Sequence, residues 1–120
     1  MNICWITLHV QDLERSLNFY TDLFGLELVR RFRPDGQREI AFLGSEGTQL
    51  ELIQDPQVSG APRSEDISIG FPVSSLQSIM KKLEDLDIPV HSGPFEPNPM
   101  ISFIYVLDPD GFKIQLVQQS

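Results

Sequence analysis

The sequence is poor in residues for covalent cross-links and for contacts with nucleic acid. Cys4 is the only cysteine among 120 residues, so no disulfide can form within the chain. Cys4 lies in an apolar run, where we expect a small buried side chain rather than a reactive thiol. Lys and Arg total 9 against 17 Asp and Glu, which gives a net charge of −8. Neither nucleic acid nor an anionic membrane is expected as a partner, because both require a basic surface.

Long hydrophobic runs are also missing. No apolar stretch approaches the roughly 20 residues of a membrane-spanning helix. The opening MNICWITLHVQDLERS has no basic leader before its apolar residues, so it does not resemble a signal peptide. We therefore expect a cytoplasmic protein. Histidine is scarce too, since only His9 and His91 are present, and this limits the imidazoles available to a metal site.

What the chain does contain is an internal repeat. The stretch VQDLERSLNFYTDLFGLELV from Val10 aligns with VSSLQSIMKKLEDLDIPV from Val73 at an offset of 63 residues. The stretch LGSEGTQLELIQ from Leu43 aligns with LDPDGFKIQLVQ from Leu107 at an offset of 64. Helix starts and a turn glycine recur together in both copies. The chain is therefore predicted to contain two copies of one structural unit.

Each copy has the pattern of a βαβββ unit. An alternating strand at residues 3–10, or 66–73 in the second copy, is followed by apolar residues at helical spacing. Asp12 is suited to cap the first helix, and Ser74 or Ser75 the second. Three more strands, separated by polar turns, complete each copy.

The predicted fold class is α+β, with two tandem βαβββ modules forming a curled mixed sheet around a concave pocket. One domain of residues 1–120 would contain module 1 at 1–54 and module 2 at 66–120. The Pro-, Gly- and Ser-rich stretch 55–65 is the predicted linker, and residues 92–100, with three prolines, are predicted to form a loop.

Three stretches carry a resemblance to a known superfamily: HVQDLERSLNFYTDLFGLELV, QLELIQ and FIYVLDPDGFKIQLV. With them, the chain resembles the vicinal oxygen chelate superfamily from Ile3 to Gln118. Members include glyoxalase I, bleomycin-resistance proteins, fosfomycin-resistance enzymes and extradiol dioxygenases. The resemblance implies the glyoxalase/bleomycin resistance fold. It does not specify an activity, because members include lyases, isomerases, dioxygenases, transferases and drug binders.

The resemblance also implies where a metal would be held. Metal-dependent members place one ligand on the first strand and one on the last strand of each half, usually His or Gln, Glu, His and Glu. The matching positions here are Trp5, Glu51, Ser68 and Gln115. An indole has no lone pair to give and a hydroxyl is a weak neutral ligand. We therefore predict a degenerate metal site, no cofactor, and a protein that binds a small molecule without metal.

Strand alternation predicts which side chains line the pocket, because every second residue shares a face. The predicted ligand-binding residues are Trp5, Thr7, His9, Gln49, Ser68, Phe103, Tyr105, Lys113 and Gln115. Glu51 shares that face and is the predicted catalytic residue, as a general base. An aromatic surface with a few polar groups suits a planar or aromatic ligand, and an acidic chain suits a cationic one.

Two alternatives remain open. One is a divalent-metal lyase or dioxygenase of the glyoxalase type, in which Glu51 and Gln115 hold the ion together with outside donors such as water. The other is an interaction module whose cavity is filled by Trp5. A homodimer is expected for the small-molecule binder, because relatives of that kind pair as dimers and because exposed sheet edges favour pairing.

Overall fold

The structure is a computed structural model that describes residues 1–58 and 66–120, so residues 59–65 of the predicted linker lie outside the described part. The chain divides into two compact units, Met1–Pro62 and Arg63–Ser120. Each unit contains one helix and one open four-stranded mixed sheet. The predicted α+β class and the duplicated βαβββ unit are confirmed.

The first unit places its first and last strands side by side. In chain order the elements are β1 (Trp5–His9), α1 (Leu13–Phe24), β2 (Leu28–Phe32), β3 (Glu39–Leu43) and β4 (Gln49–Gln54). The strand order is β1-β4-β3-β2, with β1 parallel to β4 and the other pairs antiparallel. The core consists of buried apolar residues of sheet and helix, among them Leu8, Leu13, Leu17, Leu43, Leu50 and Leu52.

The second unit repeats this arrangement. Its elements are β5 (Ser68–Pro72), α2 (Leu76–Asp85), β6 (Ser92–Asn98), β7 (Ile101–Leu107) and β8 (Lys113–Gln119), in the sheet order β5-β8-β7-β6. The loop predicted at residues 92–100 is wrong, because β6 pairs with β7 through two register shifts. β6 lies at the sheet edge, where proline removes no hydrogen bond that the ladder needs.

Both helices begin with a side-chain cap. Asp12 Oδ1 accepts a hydrogen bond from the Arg15 N–H at 3.3 Å, and Ser75 Oγ accepts one from the Ser78 N–H at 3.2 Å. The prediction for Asp12 is confirmed, and Ser75 rather than Ser74 caps the second helix. Each cap satisfies an N–H group that has no partner inside the helix.

A glutamine from the last strand makes a second contact with each helix start. Gln54 Oε1 accepts from the Leu13 N–H at 2.7 Å, and Gln118 Oε1 accepts from the Leu76 N–H at 2.8 Å. Both bonds are partly buried. The repeat therefore preserves a specific connection between the last strand and the helix of each unit, in addition to the order of elements.

A side-chain network joins α1 to the sheet of the first unit. Arg31 contacts Glu39 on β3 at 2.8 Å and Glu14 on α1 at 2.6 Å. The hydrogen bond from Arg31 lowers the pKa of Glu39, and the charges of Arg31 and Arg33 add to this effect. A carboxyl group with a lowered folded-state pKa binds fewer protons folded than unfolded at mildly acidic pH. Its contribution to stability is present above the unfolded-state pKa and is lost as the pH falls through the folded-state value.

Cys4 is exposed, contrary to the predicted burial, because it precedes β1 and the sheet does not cover it.

Among residues 1–58 and 66–120, no helix is long and apolar enough to cross a membrane.

Gln118→Leu should lower the free energy of unfolding by about 1–3 kcal/mol, because the Leu76 N–H would lose its acceptor in a partly buried place. Urea denaturation measures this. The control is Gln119→Leu, since Gln119 is exposed on the same strand, and it should change the value by less than about 0.5 kcal/mol. Equal losses in the two variants would contradict a role for the Gln118 acceptor.

Glu39→Gln should flatten the acid limb of the stability curve. Wild-type protein loses the Glu39 contribution as the pH falls below the unfolded-state pKa of about 4.3, whereas a glutamine has no proton to gain. Thermal melts at a series of pH values measure the difference. Glu46→Gln, in an exposed turn, is the charge-matched control. A Glu39→Gln curve parallel to the wild-type curve would exclude this linkage.

Candidate functional site

Glu51 lies on the sheet face of the first unit that α1 does not cover. The strand register places Thr7 of β1 on one side of it and Phe42 of β3 on the other. Thr7 Oγ1 donates a hydrogen bond to Glu51 Oε1 at 2.6 Å. A bond this short between a hydroxyl and a carboxylate is charge-assisted and orients the carboxylate. Glu51 is therefore a positioned acid on an open face.

Trp5 lies on the same open face and packs against Phe42 without being enclosed. Its ring meets Phe42 edge-on, with centroids 5.5 Å apart at an angle of 78°. The exposed fraction of Trp5 is 49%, whereas that of Phe42 is 3%. An indole with half of its surface exposed does not plug a closed cavity of its unit. This exposure argues against the interaction module in which Trp5 fills the pocket.

Gln115 occupies the equivalent place in the second unit. Gly70 of β5 and Tyr105 of β7 flank it in register, and its Nε2 donates to Tyr105 Oη at 3.4 Å. A Cβ atom on Gly70 would lie 3.1 Å from Gln115 Oε1. Gly70 thus leaves room for the amide where the first unit has a threonine that holds a carboxylate.

An aromatic cluster adjoins Gln115. The rings of Phe95, Phe103 and Tyr105 lie 5.4 to 6.2 Å apart between centroids. The cavity beside them has a volume of about 550 Å³ and is lined by Phe95, Glu96, Pro97, Phe103 and Tyr105. The Lys113 ammonium lies 4.3 Å from the centre of the Tyr105 ring. The structure therefore brings together four predicted residues of the second unit: Phe103, Tyr105, Lys113 and Gln115.

Three other predicted residues lie next to these clusters. His9 is exposed at the end of β1, and Ser68 is exposed at the start of β5 opposite Lys113. Gln49 donates from Nε2 to the Gly44 carbonyl at 3.0 Å, so its amide supports a turn. Their roles as ligand-binding residues stay predictions.

Four neighbouring residues were missed by the sequence reasoning. Phe42 lies on β3, where strand alternation alone is enough to predict that it shares the face of Glu51. Phe95 was missed because its strand was predicted to be a loop. Arg30 and Phe32 lie on β2, where a register shift between Leu28 and Arg30 breaks simple alternation. Only the pairing of β2 with β3 reveals which face they share.

Each unit offers one oxygen donor at its superfamily ligand positions. Glu51 offers a carboxylate and Gln115 an amide oxygen, while Trp5 and Ser68 add little. Within the described part of the chain, no group of three or more His, Cys, Asp and Glu side chains could hold a metal ion. Oxygen donors of this kind suit Mg²⁺ or Mn²⁺, which keep several waters, better than Zn²⁺, which prefers nitrogen and sulfur.

Comparison with known families decides the class of protein. A profile described as the Glyoxalase/Bleomycin resistance protein/Dioxygenase superfamily matches residues 2–116. The chain belongs to this superfamily. The resemblance seen in the sequence motifs, and the fold that it implied, are confirmed.

The superfamily relatives include lactoylglutathione lyases. The chain is 33% identical over 127 residues to a probable lactoylglutathione lyase of Synechocystis sp., covering 94% of this chain and 92% of that protein. It is 30% identical over 121 residues to a lactoylglutathione lyase of Arabidopsis thaliana. That match covers 95% of this chain but only 43% of the plant protein, so the chain spans less than half of that relative's length.

A solved structure of the superfamily agrees with the fold. The trypanothione-dependent glyoxalase I of Leishmania major superposes with a TM-score of 0.81 at 26% sequence identity. The superposition covers 98% of this chain and 86% of the Leishmania chain.

These comparisons correct the prediction that the chain takes no cofactor. The lactoylglutathione lyase relatives and the glyoxalase I structure point to a divalent metal ion. They favour the divalent-metal alternative over a metal-independent binder. The absence of a metal-binding side chain at two of the ligand positions, Trp5 and Ser68, does not exclude a metal. A hard cation can be held by fewer protein oxygens when water and substrate complete its coordination.

Proposed function

We propose that the chain is a glyoxalase-type lyase that works with a divalent metal ion on the adduct of a 2-oxoaldehyde and a thiol. The observation that carries the proposal is the Glu51 carboxylate, oriented by Thr7 at a superfamily ligand position. Support also comes from a probable lactoylglutathione lyase that matches over 94% of this chain and 92% of its own length.

The proposed reaction is an internal redox isomerisation. In the hemithioacetal, C1 carries a hydrogen, a hydroxyl group and the thioether sulfur, and C2 is a carbonyl carbon. The C1 proton is removed and a proton is delivered to C2, while the hydroxyl proton on O1 passes to O2. The product is a 2-hydroxyacyl thioester. C1 is oxidised and C2 is reduced, so no external oxidant is required.

Glu51 is the residue that moves the proton in this proposal. A carboxylate accepts a proton readily, whereas the neutral amide of Gln115 does not. The Thr7 hydroxyl keeps the Glu51 carboxylate in one orientation, and proton transfer depends on such positioning. Glu51 is also the oxygen donor that the first unit offers to the metal ion in this proposal. When bound, the ion would polarise the substrate oxygens and make the C1 hydrogen more acidic.

Within the second unit, the aromatic cavity is proposed as a binding surface for an apolar small molecule. Its three rings provide an apolar surface, and the adjacent Tyr105 hydroxyl connects it to Gln115. The homodimer stays a prediction. The exposed edge strands β2 and β6 favour pairing of each sheet with another chain.

Glu51→Gln should reduce thioester formation from methylglyoxal and glutathione by about 10²- to 10⁴-fold, the usual contribution of a general base. The assay is run with Mn²⁺ and Mg²⁺, and again after chelation. Glu46→Gln is the matched control, because it removes the same charge from an exposed turn. Thioester formation that is absent from wild-type protein with every divalent ion, or unchanged in Glu51→Gln, would refute the proposal.

Trp5→His should tighten Mn²⁺ binding by at least about tenfold, because it adds an imidazole donor on the strand beside Glu51. Isothermal titration calorimetry measures the dissociation constant without requiring turnover. Trp5→Phe is the control, since it removes the indole without adding a donor. If Trp5→His binds no better than Trp5→Phe, the ion does not lie at the proposed position.

A further inference from the structure

Three aromatic rings of the second unit form a compact cluster on β6 and β7. Phe95 of β6 is opposite Phe103 of β7, and Tyr105 lies two residues further along β7, so it shares the face of Phe103. The ring centroids are 5.4, 5.6 and 6.2 Å apart, and the angles between the ring planes run from 40° to 81°. The three centres therefore form a nearly equilateral triangle of rings that are not parallel.

This triangle has the dimensions of a cation site. A positive charge on its axis can lie within about 6 Å of all three ring centres at once, which is the range of cation–π attraction. The Tyr105 ring already makes a contact of this kind, because the Lys113 ammonium lies 4.3 Å from its centre. Lys113 comes from β8, which lies on the opposite side of β7 from the strand that supplies Phe95.

A carboxylate without a cation adjoins the rings. The cavity of about 550 Å³ beside them is lined by Glu96 and Pro97 in addition to the three aromatic residues. Among the described residues, no lysine or arginine forms an ion pair with Glu96. Ring faces and an adjacent carboxylate both attract positive charge. The volume is within the range of small-molecule sites, about 300–1,000 Å³.

The lining favours one kind of cation over others. A primary ammonium or a guanidinium brings several N–H donors, and each donor that leaves water without finding an acceptor costs free energy. Ring faces and a proline offer little to such donors. A quaternary ammonium has no N–H group, and its alkyl groups present an apolar surface that carries a positive charge. It therefore gains from the rings and the carboxylate without leaving a donor unsatisfied.

We propose that this cavity binds a small quaternary ammonium molecule, which contacts Phe95, Phe103 and Tyr105 and is neutralised by Glu96. The proposal rests on the use of the cavity as a small-molecule site, as proposed above, and narrows the ligand to a cation with an apolar surface. It involves neither a metal ion nor the lyase reaction. The net charge of −8 adds a long-range attraction for any cationic ligand.

Choline and 3,3-dimethylbutan-1-ol are the matched probes for this site. The two molecules have the same shape, but choline carries a charged nitrogen where the alcohol has a neutral carbon. Calorimetry measures the affinities, and amide chemical shifts in NMR spectra locate the binding, both without metal and without turnover. Choline should bind at least about tenfold more tightly than the alcohol, with the largest shifts on β6 and β7.

Removal of one ring tests the aromatic contribution. Phe95→Leu should weaken choline binding by about fivefold or more, because it deletes a ring and keeps an apolar side chain. Phe32→Leu is the control, since the exposed fraction of Phe32 in the first unit is 40%, close to the 43% of Phe95. It should leave choline binding within about twofold of wild type.

Two charge changes of opposite sign test the electrostatic contribution. Glu96→Gln should weaken choline binding by about threefold or more and leave binding of the alcohol unchanged. Glu84→Gln, at an exposed position of α2, is the charge-matched control. Lys113→Gln should instead tighten choline binding by about twofold or more, because it removes a neighbouring positive charge from the Tyr105 ring.

Three outcomes would overturn the assignment. They are equal affinities for choline and the alcohol, choline-induced shifts confined to residues outside β6 and β7, and equal losses in Glu96→Gln and Glu84→Gln. Circular dichroism melts verify that each variant is folded. Equal binding of both probes in the cavity would refute the charge preference and leave the apolar site standing, whereas no binding of either probe would refute both. Selective choline binding by a protein without lyase activity would refute the proposed reaction alone.

Discussion

The parallel pairing of the first strand with the last strand is the constraint on which each unit depends. Parallel strands cannot be joined by a tight turn, because the chain must cross over before it runs in the same direction again. In the first unit that crossover contains α1, β2 and β3 between β1 and β4. The pairing also places Thr7 beside Glu51. The pairing of β1 with β4 therefore brings together two residues that are 44 positions apart in sequence.

The two units use the same pairing for different chemistry. In the first unit a threonine donates to a carboxylate, and in the second a glycine leaves space for an amide. The second unit therefore carries an uncharged amide at the position where the first unit carries a carboxylate. The proton transfer proposed for this protein accordingly rests on Glu51 alone.

The aromatic rings next to Glu51 and Gln115 each contact a cationic side chain, although the two arrangements differ. Phe42 lies opposite Glu51 and supports Arg30 from β2, whereas Tyr105 lies opposite Gln115 and contacts Lys113 from β8. The ring positions are equivalent in the repeat, but the cations come from different strands. The duplicated framework has therefore been kept while the charges on its open faces have diverged.

By itself, the sequence determined the features that depend on local periodicity and on the repeat. These include the α+β class, the duplicated unit, the Asp12 cap, and the face shared by Trp5 and Thr7. It also led to a wrong prediction about the cofactor, because residue types at four positions do not reveal how many ligands water and substrate supply. Only the tertiary structure decided what depends on pairing between strands. Three features depend on a neighbouring strand or turn and not on alternation: the register shift next to Arg30, the pairing of β6 that positions Phe95, and the bond from Gln49 to Gly44. Side-chain alternation is an intrinsic property of an extended backbone, whereas register is chosen by the neighbouring strand.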